Sequence, residues 1–267
     1  MDRPRPRGRK RLRRWHRDNS SLLSRFAGRA ILNGRREILD DADALAGRVA
    51  EWLLAQALTG SRRFRVSLCG GSTPVRLYER LASDRFRDRF PWQRVHWYWG
   101  DERFVPRDHP SSNYRMVHQA LLSRVALPLE NVHAVPINGS PEAAASRYER
   151  SLQEDYGAAE LDPARPFFDV TLLGLGADGH TASLLPGDGA LEERRRWVVA
   201  VRRGRPEARI TMTFPLLESS RSAAFLVAGA GKVEALRAVE SGLDAGPAAR
   251  LRPAGELVWF VDRAAAG

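Results

Sequence analysis

Between residue 41 and the C-terminus, short apolar runs alternate with stretches in which apolar residues recur every three to four positions. Leu45, Val49, Trp52, Leu53 and Leu58 fall near helical spacing, which predicts an amphipathic helix over Asp41–Leu58. The same reading predicts helices at Pro74–Leu81, Tyr114–Ala126, Pro141–Tyr156 and Lys232–Glu240. Strand-like runs occupy Arg65–Cys69, Val95–Trp99, Val132–Ile137, Phe168–Leu173, Trp197–Val201, Ile210–Thr213, Ala223–Ala228 and Leu257–Val261. Most are apolar at odd and even positions alike, as expected of strands that helices cover on both faces. Strands alternating with helices argue an α/β fold with a largely parallel sheet. No internal repeat or long linker interrupts residues 21–267, which read as one domain.

Composition narrows the class. The 267 residues are 43% hydrophobic and 28% charged, as in ordinary globular chains. The single cysteine, Cys69, excludes an intramolecular disulfide and any cysteine-rich zinc module, and it fits a reducing compartment. Ala223–Ala230, the longest nearly apolar run, is far shorter than the ~20 residues of a membrane helix, and no apolar segment follows the basic N-terminus as a secretory signal would require. A soluble cytoplasmic protein is the expectation. The net charge of +11 points towards nucleic acid until it is located. Residues 1–20 carry nine Arg or Lys against Asp2 and Asp18, and this surplus of seven leaves +4 for the other 247 residues. A tail with Pro4, Pro6, Gly8 and almost no apolar residues is expected to be disordered. It reads either as a loose contact for RNA or DNA phosphates or as an inert extension or misassigned start, and the second reading is favoured.

The chemistry gathers where predicted strands end. Gly70-Gly71-Ser72-Thr73-Pro74 turns a strand into a helix, with Pro74 suited to the first helical position and Ser72 or Thr73 to the cap. Exposed amides and a helix dipole favour an anion there, while a plain tight turn explains the sequence equally well. Pro74 stands where a nucleophile elbow needs its second glycine, so Ser72 reads as a ligand-binding hydroxyl. Gly174-Leu-Gly-Ala-Asp-Gly-His180 formally matches G-x-G-x-x-G, but Pro186 cuts any following helix short and no acidic residue ends a new strand about 20 residues on. His180, just past that glycine turn with Asp178 two residues before it, is the candidate base, since an imidazole titrates near neutrality; a structural histidine is the bland alternative. Asp101-Glu102-Arg103 closes another strand as a ligand-facing loop or a solvated turn. Lys232, the single lysine beyond residue 20, starts a helix after Gly229-Ala-Gly231, where the dipole disfavours a cation unless it binds an anion. His96, His109, His118 and His133 show no metal-ligand spacing with one another or with Cys69, and no metal is expected.

Taken together these segments resemble the 6-phosphogluconolactonase family. The matching stretches are Ser67-Leu-Cys-Gly-Gly-Ser-Thr-Pro-Val-Arg-Leu-Tyr78, Trp99-Gly-Asp-Glu-Arg-Phe-Val-Pro106, Ser112-Asn-Tyr114 and Gly174-Leu-Gly-Ala-Asp-Gly-His-Thr-Ala-Ser-Leu-Leu-Pro186, with Arg209-Ile-Thr-Met-Thr213 and Gly231-Lys232 adding to them. They span roughly residues 35–265 in the family's order and leave the tail outside. The resemblance implies a Rossmann-like sheet sandwiched by helices, similar to glucosamine-6-phosphate deaminases and ribose-5-phosphate isomerases. It also implies hydrolysis of 6-phospho-D-glucono-1,5-lactone, the second step of the oxidative pentose phosphate pathway, without a cofactor. His180 would be the general base, Arg103 the oxyanion partner, and Asp101 an orienter of sugar hydroxyls or of His180. Gly70, Gly71, Ser72, Thr73 and Lys232 would hold the phosphate, with Arg209 a further contributor. The rival within the fold is a sugar-phosphate isomerase or deaminase acting on glucosamine 6-phosphate, whose members typically carry Asp-Glu-Tyr where this chain has Asp101-Glu102-Arg103. A nucleic-acid-binding protein is the rival of another class and needs a basic patch on the folded body.

Overall fold

The first helix among the described residues, α1 (Ala42–Thr59), forms where its periodicity predicts it. The Asp41 carboxylate caps it, accepting from the N–H groups of Asp43 at 2.9 Å and Ala44 at 2.8 Å, and Leu45, Val49, Trp52 and Leu53 form its buried face. This computed structural model describes residues 33–60, 63–202, 206–242 and 246–267. The basic tail expected over 1–20, and the start of the expected domain at residue 21, lie outside the described residues.

Among the described residues seven parallel strands build the main sheet: β1 (Arg35–Leu39), β2 (Phe64–Leu68), β3 (Val95–Trp99), β5 (Val132–His133), β6 (Phe168–Gly174), β9 (Ser220–Val227) and β10 (Glu256–Asp262), in the order β1-β10-β9-β6-β2-β3-β5. Helices α1, α2 (Ser72–Leu81), α4 (Asn113–Ala120), α5 (Pro141–Tyr156) and α7 (Val233–Ser241) lie between strands in the chain, beside the shorter α3 (Asp84–Arg87), α6 (Phe214–Glu218), α8 (Gly246–Arg250) and α9 (Arg263–Ala266). This is the expected Rossmann-like α/β architecture. β6 is buried along nearly its whole length, and Phe225 stacks on Trp259 at 3.9 Å between neighbouring strands. Buried apolar area of this kind drives folding. After β2 the chain adds β3 and β5 on one side; from β6 it adds β9 and β10 on the other. The direction reverses between β2 and β6, the place where open α/β sheets bind ligands.

The structure departs from the sequence reading at several places. The runs at 197–201 and 210–213 do not join the parallel sheet. As β7 (Val198–Val201) and β8 (Arg209–Met212) they pair antiparallel with β4 (Asp101–Arg103) in a separate sheet of order β4-β8-β7. Gly100 makes the transfer, its N–H bonding Leu68 in the main sheet and its carbonyl accepting from Met212 at 2.8 Å. β1, a charged segment without an apolar run, was not expected; a five-residue parallel ladder with β10 holds it on the sheet, flanked by ion pairs from Arg35 to Glu256 on β10 and from Arg36 to Glu240 on α7. β5 keeps two residues of the six expected. The helix expected to reach Ala126 stops at Ala120, because fully buried Leu121 leaves helical backbone to enter the core. Helix α2 starts at Ser72 with Gly71 as its cap, so Pro74 stands third and neither Ser72 nor Thr73 caps; the third amide of a helix also lacks a helical acceptor, so proline is tolerated there.

Candidate active site

Four neighbouring strands of the main sheet, β9, β6, β2 and β3, deliver the candidate residues from their carboxyl ends. Gly70–Thr73 follows β2, Asp101–Arg103 follows β3, the Gly174–His180 turn follows β6, and Lys232 follows β9. They meet around a cavity of about 260 Å³. All nine of the singled-out residues (Gly70, Gly71, Ser72, Thr73, Asp101, Arg103, His180, Arg209 and Lys232) line it. Arg209 enters from β8, so the small antiparallel sheet serves as one wall.

The His180 ring is held from two sides. Its Nδ1 pairs with the Asp178 carboxylate, and its backbone N–H donates to the same oxygen at 3.2 Å. The other side is Gly176: a Cβ there would collide with the imidazole, so the glycine is required by the close approach of the ring. Burial pushes the Asp178 carboxyl up, but the hydrogen bond and charge of His180 outweigh it and hold the carboxyl below the usual range. With Nδ1–H donating to Asp178, Nε2 carries the lone pair, the arrangement a general base needs. Sequence reasoning left two partners open for Asp101, sugar hydroxyls or His180; the carboxylate that the structure sets on the ring is that of Asp178.

Past His180 the turn is strained. Ala182, at φ 50°, is the one non-glycine with positive φ among the described residues. Ser183 anchors it, donating its hydroxyl to Asp101 at 2.6 Å and its N–H to the Thr211 hydroxyl at 3.1 Å. Asp101 is buried, and it also accepts from Asn113 Nδ2 at 3.2 Å and faces Arg209 at 3.9 Å. Arg103 donates from Nη1 to Asn113 Oδ1 and to the Ser111 carbonyl, both at 2.8 Å.

Asn113 is the residue that sequence reasoning quoted in a matching stretch but gave no place in the site. One amide bridges Asp101 to Arg103 and also fills the space beside Gly70, where a Cβ would strike it. Its signal in the sequence is slight, a helix-start Ser112-Asn113 ten residues beyond Arg103. Glu102 also supports this corner from below: its carboxylate accepts from the N–H groups of Arg103, Asn113 and Tyr114 and from the Ser112 hydroxyl, seating the N-terminus of α4 on β4. Burial pushes its pKa up against those donors.

The remaining wall is cationic and rich in amides. The first-turn amides of α2 have no helical acceptor, and Ser72 and Thr73 stand beside them. Lys232 ends a short 3₁₀ turn and caps α7; its ammonium has no ion-pair partner among the described residues. Arg103, Arg209 and Lys232 outnumber Asp101 among the ionised lining side chains, so the field suits an anionic ligand. Among the described residues no cluster of three or more His, Cys, Asp or Glu is placed to hold a metal ion, and no helix is long and apolar enough to cross a membrane.

The family model for glucosamine-6-phosphate isomerases and 6-phosphogluconolactonases matches residues 40–259. A 6-phosphogluconolactonase of Nostoc sp. is 43% identical over 237 residues, covering 86% of this chain and 95% of its own length. A chloroplastic 6-phosphogluconolactonase of Arabidopsis thaliana is 39% identical over 76% of this chain and 64% of its own. Among solved structures, the 6-phosphogluconolactonase of Thermotoga maritima superposes with a TM-score of 0.73 at 31% identity, covering 86% of this chain and 99% of that one. A monomeric glucosamine-6-phosphate deaminase shares the fold, with a TM-score of 0.72 at 21% identity, covering 87% of this chain and 98% of that one.

Proposed function

The chain belongs to the glucosamine-6-phosphate isomerase/6-phosphogluconolactonase family, and from that premise we propose that it hydrolyses 6-phospho-D-glucono-1,5-lactone to 6-phosphogluconate. It is an enzyme of the oxidative pentose phosphate pathway. The observation that carries the reading is the pairing, within one cavity, of a carboxylate-held imidazole and an anion cradle. An isomerase would need the same cradle. The arginine at position 103, tied to Asn113 and facing the cavity, favours a reaction in which negative charge develops on a carbonyl oxygen.

The phosphate sits against the amides of Gly71–Thr73 and the Lys232 ammonium, and this remote binding orients the lactone. Nε2 of His180 takes a proton from water as the hydroxide oxygen attacks C1. The tetrahedral oxyanion is met by the Arg103 guanidinium, and Asp178 steadies the imidazolium. Collapse breaks the bond from C1 to the ring oxygen, which receives the proton from His180, leaving a carboxyl group that ionises at neutral pH. Asp101, fixed by Ser183 and Asn113, is left to accept from sugar hydroxyls. General-base catalysis of this kind contributes about 10²–10⁴-fold, and a lactone, being an ester, needs no stronger activation. The lone free cysteine, Cys69, fits a reducing compartment and supports reading the enzyme as cytoplasmic.

Freshly prepared lactone coupled to 6-phosphogluconate dehydrogenase tests the activity by the rise in nicotinamide absorbance. The expected result is a rate well above spontaneous hydrolysis, with no ammonia released from glucosamine 6-phosphate. Ammonia release without lactone turnover would transfer the chain to the deaminase branch.

A further inference from the structure

We infer that Tyr78 and Tyr148 are positioning residues of this enzyme, each holding one substrate-facing loop by clasping the backbone of the residue at the end of a strand. The Tyr78 hydroxyl accepts from the Cys69 N–H at 3.1 Å and donates to the Cys69 carbonyl at 2.8 Å. The Tyr148 hydroxyl accepts from the Trp99 N–H at 3.0 Å and donates to the Trp99 carbonyl at 3.2 Å. Cys69 directly precedes the glycine loop, and Trp99 stands two residues before Asp101.

The main-sheet ladder runs out at Cys69 and thins at Trp99. β2 ends at Leu68, one residue short of Cys69. Trp99 still pairs with Leu68 of β2, but on its other side β3 pairs with β5 only at Trp97 and Tyr98, so there the registered pairs end one residue before Trp99. Both backbones are buried, and a buried N–H or C=O without a partner is costly. A phenol is donor and acceptor at once, so one side chain satisfies both groups. It must stay protonated to do so. Burial pushes both phenols well up, with the negative charge of Glu102 adding to the effect at Tyr148, so the donors persist at every assay pH.

The two clasps serve different ends of the substrate. Tyr78, on α2, ties the glycine loop to the helix whose first amides face the cavity, the phosphate end. Tyr148, on α5, fixes the point from which β4 carries Asp101 and Arg103, the carbonyl end. This division rests on the reading of the two loops given above. A third tyrosine supplies the control. Tyr156 uses its hydroxyl in the same double way, accepting from the Asp162 N–H at 2.9 Å and donating to the Arg165 carbonyl at 2.7 Å, but the loop it closes leads into β6 at the opposite end of the sheet.

The experiment compares Tyr78→Phe, Tyr148→Phe and Tyr156→Phe by steady-state kinetics, competitive inhibition by inorganic phosphate, and Tm. Tyr78→Phe is expected to raise KM and the phosphate inhibition constant by about fivefold, the equivalent of one ordinary hydrogen bond, at nearly constant kcat. Tyr148→Phe is expected to lower kcat by about fivefold at a nearly constant phosphate inhibition constant. Tyr156→Phe should lose Tm with all kinetic constants unchanged. If the first two variants also lose Tm alone, the tyrosines only support the fold and the inference is overturned. If inorganic phosphate does not compete with the lactone on the unaltered enzyme, the assignment of the phosphate loop fails first, and the inference with it. Should a phenylalanine variant not fold, 3-fluorotyrosine at the same position keeps the ring and weakens the acceptor. The same split at smaller amplitude is then expected, and unchanged constants overturn it.

Discussion

Two clusters of polar side chains share strands β2 and β3, one beyond the strands' carboxyl ends and one on a face of the sheet, and only the first has the make-up of a site. In the second, Asp155 near the end of α5 takes Arg63, Arg65 at 2.9 Å and the Tyr98 hydroxyl at 2.6 Å, while His96 and His133 bond each other at 3.0 Å. Tyr98 also stacks on His133 at 4.3 Å. This cluster has two histidines, two arginines and a carboxylate, as many ionisable groups as the site. The difference lies in what is left over. Side chains of the sheet-face cluster satisfy one another, although Arg63 and His96 also border an open groove, whereas the carboxyl-end cluster surrounds a cavity with helix amides and a lysine that no acidic group pairs among the described residues. Density of charge does not mark a site; charge and donors held ready without a partner do.

The strongest way to break this contrast is at His180. His180→Asn keeps a donor beside Asp178 and removes the base, so kcat should fall by ~10²-fold or more while KM changes little. An unaltered kcat would take the chemistry out of this cavity.

Next in size is Lys232. A charge-assisted contact contributes about 1.5–3 kcal/mol, so Lys232→Ala should lower kcat/KM for the phosphorylated lactone by about 10–150-fold. The same change should barely touch hydrolysis of unphosphorylated gluconolactone, which gives the ammonium nothing to hold. Measuring both lactones on both proteins isolates the lysine–phosphate interaction as a double cycle. Equal losses would make Lys232 structural and move the phosphate towards Arg103 or Arg209.

How much of this was legible in the sequence follows from what each feature depends on. Strands such as β3 and β6 and helices such as α5, with Ser140 capping, Pro141 in its first turn and Gly157 in the left-handed region after it, carry their signals within a few residues. The turn at Gly176 is equally local, because His180 and Asp178 crowd it, whereas the space that Gly70 must leave is claimed by Asn113, far along the chain. β4 was hidden because Asp101-Glu102-Arg103 has no apolar alternation; it is a strand only because β8 lies beside it. The division of labour between Asp101 and Asp178 was also invisible, since Asp101 is claimed by Ser183, 82 positions away, and by Asn113. Local periodicity writes elements and turns, while bonds made across the chain decide which carboxylate does what.

The smallest expected effect sharpens the contrast from the other side. Burial first, then the charges of Arg63, His133 and Arg65, against the opposing pull of Asp155, lower the pKa of His96 to about 4; burial likewise lowers that of His133. An unfolded histidine titrates near ~6.5. Between those values only the unfolded chain takes the proton at His96, so stability is lost as pH falls from ~6.5 and the loss levels off near the folded value. Solvent still reaches the ring, which leaves this contribution on the order of 1 kcal/mol, or about 2–4 °C in Tm for a domain of this size. His96→Gln retains a hydrogen-bonding partner for His133 and removes one titrating group, so Tm should decline less between pH 7 and pH 4.5 than in the unaltered protein. At neutral pH kcat should be unchanged, because this cluster sends nothing into the cavity. A Tm profile with the same acid slope would show that another group sets it, and a drop in kcat would mean that the two clusters are coupled through β3.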